Sequence, residues 1–311
     1  MVIFENKMFL KVINVICIGL WLLLVFWSSA QFTASFIAYH DESLVNFLLA
    51  LLVFYIILYV SLLLHELGHV FFGWLSGYQL VAFGVLKWNL VFTEEKVRLV
   101  KKQSLMGVGA QYFGVKKNLG ARGDLLMFSG GLIVHLLLGL LGLIVGLVTQ
   151  DWGIPRANLS MQLGMIILNS NPNGITDGAK ILELWLYPSH AAYMYVELER
   201  AAVFFHAPVQ GNLTDFVQDI PLEYGSIAQT VYLNAADAKL IEGDYQQASE
   251  KMEALYAFTE NPIIKMATGA SLILAYLLQG DKSRAETIYQ NKTVHLFLLL
   301  PPPCMVILRF Y

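Results

Sequence analysis

Two histidines and a glutamate inside a long apolar stretch have the residue types and spacing of a metal site. His65, Glu66 and His69 form the pattern His-Glu-x-x-His, within an apolar run from Leu44 to Leu75. Residues four apart on a helix lie on one face, one turn apart, so both imidazoles could bind one zinc ion. Glu66 could then act as the general base toward a water molecule on that metal.

The alternative is that these polar side chains only satisfy one another inside a helical bundle. Burying polar groups in an apolar environment is costly unless they are paired, and ionisable residues in apolar spans usually mark functional sites. We therefore favour a catalytic metal site over simple packing.

Composition predicts that the chain is embedded in a lipid bilayer. Of its 311 residues, 57% are hydrophobic and 14% are charged, and the mean hydropathy is +0.59. Soluble domains carry about 25% charged residues.

The net charge is -3 and no basic run is present, which argues against a nucleic-acid partner. Cys17 and Cys304 lie far apart and give neither a disulfide framework nor metal-ligand spacing.

The hydropathy pattern predicts an all-α multipass membrane protein with about four transmembrane helices, a small cytoplasmic β-hairpin region and a C-terminal helical region. The first apolar run, Met8 to Trp27, is long enough to span a bilayer. Ser28-Ser29-Ala30 would also suit the end of a cleaved signal peptide, but we favour a retained helix because the run is longer than a usual signal core. Residues 1–43 are thus predicted to be a transmembrane helix and an external loop, and residues 44–187 the catalytic core.

Charge asymmetry predicts the orientation of the chain. The stretch 28–43 has no Lys or Arg, whereas the stretch 76–123 has eight basic residues: Lys87, Lys96, Arg98, Lys101, Lys102, Lys116, Lys117 and Arg122. Basic loops face the cytoplasm, so the active site is expected toward the cytoplasmic side of the cell membrane.

Alternating apolar residues predict strands between Gln79 and Val100, lying either at the membrane face or in an ordinary cytoplasmic hairpin.

The third apolar run, Leu125 to Val148, contains Gly130, Gly131 and His135, and the glycine pair allows close helix approach. The next apolar stretch, Leu159 to Leu168, is too short to span alone. It is followed by an irregular segment from Asn169 to Gly178, and helix is expected again from Ala179. Irregular backbone at membrane depth is tolerated only where it is buried in protein or lines a cavity. Asp177 in this segment is the candidate third metal ligand.

Residues 188–311 are predicted to form a cytoplasmic helical region. The pattern around Gly243-Asp244 recurs around Gly280-Asp281, 37 residues later. This repeat favours tetratricopeptide-like hairpins at 226–292, which could dock a protein partner, and a plain helical bundle is the alternative. The apolar tail 294–311 contains three consecutive prolines in its middle and is too broken to span a bilayer.

Two motifs resemble those of the site-2 protease family of intramembrane zinc metalloproteases. The first is His65, Glu66 and His69, and the second is Asn169, Pro172, Asp177 and Gly178. The resemblance covers roughly 44–187, and it implies that Asp177 is the third zinc ligand.

The family's middle motif is a glycine followed four residues later by an asparagine. Here Gly131 holds the glycine position, Leu132 replaces a common proline, and His135 replaces the asparagine. Gly174 also stands where the family usually has a second proline. The resemblance makes Gly131, His135 and Asn169 candidates for contacting the substrate or supporting the ligands.

The resulting expectation is a zinc metalloprotease that cleaves membrane-embedded or membrane-proximal peptides. One alternative is a non-catalytic binding module with a vestigial metal site that docks partners through its repeats. Another is an ion transporter. Three roles are open for His135: a fourth ligand, a donor to the substrate carbonyl, or a packing residue. A fourth protein ligand would exclude the catalytic water.

Overall fold

The computed structural model describes residues 7–40, 43–85, 88–92, 96–101, 109–115, 121–172, 176–204 and 220–290. These residues are mostly helical and include one small antiparallel sheet. The helical prediction is therefore confirmed for the described part of the chain.

Three of the described helices are long and apolar enough to cross a membrane: α1 (Lys7–Tyr39), α2 (Leu44–Leu75) and α3 (Ala121–Thr149). Their outward-facing apolar side chains are widely exposed, as a lipid-facing surface requires. The fourth helix of the core, α4 (Gly153–Asn169), has 17 residues and falls short of this length. The described residues thus contain three candidate spans where the sequence predicted about four.

Helix α1 extends beyond its predicted end, because the expected external loop 28–43 is helical as far as Tyr39. This stretch contains no Gly or Pro to stop a helix. Its residues also pack against the bundle: the buried Ser28 hydroxyl donates to the Ala157 carbonyl of α4 at 2.5 Å, and Phe32 is buried in an apolar cluster with Phe54. Tertiary contacts therefore hold as helix a stretch whose polar composition suggested a loop.

Helix α2 has the predicted bounds. The Ser43 hydroxyl accepts from the Asn46 amide at its start, and Gly77 turns the chain with φ +81° just after its end. Its 32 residues would span about 48 Å, more than the roughly 30 Å hydrocarbon core. The helix must therefore tilt in a bilayer or project from it.

The sheet follows α2 directly and consists of four strands in the order β3-β2-β1-β4: β1 (Tyr78–Val85), β2 (Trp88–Phe92), β3 (Val97–Lys101) and β4 (Gly109–Val115). The predicted hairpin corresponds to β1 and β2. Consecutive residues Val81, Ala82 and Phe83 are all buried, so both faces of the central strand are covered. In β2 the buried residue is Val91 and Trp88 is exposed.

The helical path is interrupted between α4 and α5 (Asp177–Leu186), as the Asn- and Gly-rich sequence predicted. Residues 170–172 and 176 are non-helical, and 173–175, which include Gly174, lie outside the described residues. The connection between α3 and α4 is short, because α3 ends at Thr149 and α4 begins at Gly153.

The C-terminal region begins with a 3₁₀ turn (Pro188–His190) and continues with α6 (Ala191–Phe204), α7 (Ser226–Glu242), α8 (Tyr245–Phe258), α9 (Pro262–Leu278) and α10 (Lys282–Tyr289). The turn between α7 and α8 has the same construction as the turn between α9 and α10. Gly243 and Gly280 have positive φ, and the Asp244 and Asp281 carboxylates each accept a backbone N–H of the following helix. The helix–turn–helix units are thus present, while the tetratricopeptide likeness stays a prediction. The tail 294–311 lies outside the described residues.

One buried carboxylate joins the membrane core to the C-terminal region. Glu183 of α5 is fully buried, and it accepts from the backbone N–H groups of Ile227 and Ala228 at 2.9–3.1 Å. It also accepts from the Ser226 hydroxyl at 3.2 Å and from His190 Nδ1 at 2.9 Å. A carboxylate is stabilised at a helix N-terminus by the free N–H groups and the helix dipole. Glu183 therefore caps α7 from a different helix.

We expect Glu183→Ala to loosen the C-terminal region, because it leaves His190 Nδ1 and the N–H groups of Ile227 and Ala228 buried without their acceptor. Removing one member of a buried charged pair costs about 3 kcal/mol. The measurement is the melting temperature together with the rate of proteolysis between 187 and 226. The matched control is Glu242→Ala, which removes a partly exposed pair with Lys239 and should change neither. Equal effects of the two substitutions would contradict this role.

The same contact should weaken as pH rises. Burial lowers the pKa of His190, but its hydrogen bonds with Glu183 and Glu223 outweigh this effect and raise the pKa above the usual 6.5. The stabilisation from protonated His190 is therefore complete below pH 6.5 and is lost as the pH rises through the raised pKa.

Candidate metal centre

The three predicted ligands converge at one point between α2 and α5. His65 Nε2 and His69 Nε2 are 3.1 Å apart, and both lie within 3.2 Å of Asp177 Oδ2. All three residues are buried, with exposed fractions of 5%, 1% and 9%. Among the described residues, these three form the group of His, Cys, Asp and Glu side chains that could hold a metal ion.

The triangle of donor atoms has the dimensions of a tetrahedral metal site. Nitrogen and oxygen ligands about 2.0–2.1 Å from zinc lie roughly 3.3 Å from one another in a tetrahedron. The observed edges of 3.1–3.2 Å come close to this value. His65 Nε2, His69 Nε2 and Asp177 Oδ2 would together hold such an ion. The residues thus fit a divalent cation, and among the described residues Asp177 Oδ2 has no hydrogen-bond donor that would compete with one.

The ring of His69 is oriented by the neighbouring helix. Its Nδ1 lies 2.8 Å from the carbonyl oxygen of Met127 in α3. A carbonyl can only accept, so Nδ1 carries the proton and the lone pair of Nε2 is directed at the candidate metal position. Metal-binding histidines usually have such a partner, which fixes the tautomer and the ring plane.

Asp177 is held in place by the tight path between α4 and α5. The Thr176 hydroxyl accepts from the Ala179 amide and donates to the Asn171 carbonyl, so it caps α5 beside the ligand. The Asn171 side chain donates in turn to Asn14 of α1 at 2.6 Å. A Cβ on Gly178 would lie only 2.5–2.6 Å from the Ser170 backbone, so this position has no room for a side chain.

Three glycines allow α2 and α3 to touch. A Cβ on Gly68 would lie 2.5 Å from the Gly130 carbonyl oxygen, and a Cβ on Gly130 would lie equally close to the Gly68 oxygen. A Cβ on Gly131 would overlap the imidazole ring of His65. Gly131, predicted as a residue that contacts the substrate or supports the ligands, therefore lies directly against a metal ligand.

Glu66 lies beside the triad and is partly buried. It interacts electrostatically with His65, His69 and Asp177, and also with Lys180 of α5. The Lys180 ammonium is 4.7 Å from the centre of the Phe128 ring. Glu66 is thus within electrostatic range of the three candidate ligands but is not part of their cluster.

His135 lies against His65, with ring centroids 4.9 Å apart and planes tilted by 34°. Its side chain is fully buried, and its Nδ1 lies 2.6 Å from the amide oxygen of Gln162 in α4. His135 is not in the group of ligand atoms that lie within 4.8 Å of one another. The structure therefore brings His135 to the site as a neighbour of a ligand.

Asn169 is the last residue of α4, and its amide donates to the Met165 carbonyl of the same helix at 3.0 Å. This bond gives Asn169 a local role, and its predicted contact with substrate stays a prediction.

The sequence reasoning missed Gln162 and Asn158, which connect His135 to the rest of the bundle. A signal was available, because they are polar residues four apart in an apolar helix and so share one face. Ser61 was also missed; it lies one turn before His65 and donates to the same Gln162 oxygen at 3.1 Å.

No protein-family model, no curated protein and no solved structure matches this chain. The arguments about its function therefore come from its own residues and their geometry.

We expect Gly131→Ala to weaken metal binding about tenfold or more, because its methyl group would displace the His65 ring and overpacking typically costs 1–3 kcal/mol. The measurement is a competition between the purified protein and a chelator of known affinity. Gly139→Ala is the matched control on the same helix, since a Cβ there meets Gln162 at an ordinary 3.6 Å. Equal affinities of the two variants would show that His65 does not need this space.

Proposed function

We propose that the chain is an intramembrane zinc metalloprotease similar to the site-2 protease family. The observation that carries the proposal is the convergence of His65, His69 and Asp177 within 3.2 Å, next to Glu66, on helices that include a candidate membrane span. Two imidazoles and one carboxylate form a donor set that is typical of catalytic zinc sites. Imidazole-rich sets of this kind also bind other divalent metals, but zinc suits tetrahedral geometry and hydrolysis.

In this proposal each polar residue has one task. His65, His69 and Asp177 hold the ion, which when bound would lower the pKa of a water molecule and polarise the scissile carbonyl. Glu66 accepts the proton of the attacking water and returns it to the leaving amine. Lys180 of α5 lies within electrostatic range of Glu66, on the same side of the site.

The substrate in this proposal is a peptide in or beside the bilayer. A transmembrane helix must unwind before cleavage, since its carbonyls are engaged in hydrogen bonds. An extended peptide could pair with a free strand edge. Strand β3 is an edge strand whose five residues are all exposed, including Val97 and Leu99. This geometry supports β3 as the strand that receives the substrate.

The orientation remains part of the proposal, with the sheet and the active site on the cytoplasmic side and about four helical passes in the membrane. The C-terminal hairpins would then also be cytoplasmic and could dock a protein partner, whether or not they are tetratricopeptide-like. A non-catalytic binding module would use these hairpins in the same way but would have no need of Glu66.

We expect Glu66→Gln to retain about one zinc per chain and to lose cleavage by roughly a hundredfold to ten-thousandfold, the range for a missing general base. Asp177→Ala should lose most of its zinc. Leu67→Ala, on the exposed side of the same turn, is the control and should change neither quantity. The measurements are metal content and cleavage of a membrane protein that co-purifies with Glu66→Gln. Zinc retention in Asp177→Ala would contradict the ligand assignment, and full cleavage by Glu66→Gln would contradict the mechanism.

A reporter fused near Lys101 should be cytoplasmic, and one near Asp41 should be external. The physical reason is the contrast of eight basic residues in 76–123 with none in 28–43. Accessibility of single cysteines at these positions to a membrane-impermeant reagent measures the orientation, and the reverse pattern would place the active site at the outer side.

A further inference from the structure

A chain of hydrogen bonds leads from the backbone of α3 to the side chain beside the metal ligands. Asn158 Nδ2 donates to the Leu138 carbonyl at 2.8 Å, and Gln162 Nε2 donates to Asn158 Oδ1 at 3.1 Å. Gln162 Oε1 then lies 2.6 Å from His135 Nδ1. Gln162 and His135 are buried, and Asn158 is partly so.

The chemistry of these groups fixes the direction of every bond. A backbone carbonyl can only accept, so the Asn158 NH₂ group must face Leu138 and its oxygen must face Gln162. That oxygen requires the NH₂ group of Gln162, which turns the Gln162 oxygen toward His135. His135 Nδ1 must therefore carry a proton, and in the neutral ring Nε2 is an acceptor. The Ser61 hydroxyl donates to the second lone pair of the same Gln162 oxygen, which agrees with this direction.

Two buried nitrogen atoms next to the metal centre have no hydrogen-bond partner among the described residues: His135 Nε2 and His65 Nδ1. With His65 Nε2 directed at Asp177 and the metal position, its Nδ1 must carry the proton of the neutral ring. One atom is thus a donor and the other an acceptor, on rings whose centroids are 4.9 Å apart. The other ligand, His69, already has the Met127 carbonyl for its Nδ1–H.

We propose that His135 supports the metal ligand His65 by accepting, through one bridging water molecule, the hydrogen bond of its Nδ1–H group. A buried water that joins two otherwise unsatisfied polar atoms is a common structural element. The bond fixes the tautomer of His65 and increases its basicity as a ligand, as carbonyl and carboxylate partners do at other metal sites. His135 is therefore a positioning residue. It cannot donate to a substrate carbonyl from Nε2, which was one of the roles predicted from the sequence.

The inference rests on the proposed metal site but not on proteolysis, so it is tested by zinc affinity of the full-length protein in detergent. We expect His135→Ala to bind zinc about tenfold to a hundredfold more weakly, the usual effect of removing such a partner. Gln162→Met keeps the size of the side chain but no longer fixes the His135 tautomer, and a smaller loss of about threefold to tenfold is expected. Thr149→Ala is the control, because it removes an exposed side-chain hydrogen bond at the far end of the helix that carries His135, and it should leave the affinity within about twofold.

A second measurement takes its decisive result from the wild-type protein. Nitrogen NMR of wild-type protein with ¹⁵N-labelled histidine should show His135 protonated at Nδ1, and the Gln162→Met spectrum should show a mixture of tautomers. Protonation of His135 at Nε2 in the wild type would overturn the proposal, as would unchanged zinc affinity in folded His135→Ala. Retention of zinc by both His65→Ala and Asp177→Ala would instead overturn the metal site itself. A zinc-loaded wild type that cleaves nothing would overturn only the proteolytic function.

Discussion

The contact between the backbones of α2 and α3 at Gly68 and Gly130 determines the rest of the site. With no side chain at either position, the two helices approach until carbonyl and Cα atoms touch. At this separation the Met127 carbonyl reaches the His69 ring, and the His65 ring fits over Gly131. A wider spacing would leave both imidazoles without their support, and their nitrogen atoms would no longer meet Asp177.

Several of the polar side chains buried around the site are paired within the bundle. A histidine, a glutamine, an asparagine and a serine on three different helices satisfy one another beside the ligands. Farther along the chain, Glu183, His190 and the start of α7 form a second paired group, which is buried between the core and the C-terminal region. The first group lies between candidate membrane helices and orients a ring, whereas the second joins two parts of the protein.

The sequence was most informative where a pattern is local. Three features are determined by residues that are close in sequence: the four-residue spacing of His65 and His69, the break before Asp177, and the Gly-Asp turns. Their structures follow from helix geometry and capping. It was less informative where the partner is distant. Gln162 is 27 residues from His135, and Glu183 is 44 from Ile227, so no spacing rule connects them. The polar stretch after Trp27 failed as a loop signal because its burial against Ala157 depends on a helix more than a hundred residues away.

The short helix α5 carries two carboxylates that have different partners. Asp177 at its first turn faces the metal position, and Glu183, six residues later, faces the N-terminus of α7. Each residue of a helix advances about 1.5 Å and turns about 100°, so the two carboxylates are fixed both in separation and in relative direction. The side chains between them can vary, but their number cannot. One inserted or deleted residue would turn one carboxylate away from its target, and the chain would lose either the third ligand or the attachment of its C-terminal half. Substitutions between the two carboxylates can therefore be tolerated, whereas insertions and deletions there cannot.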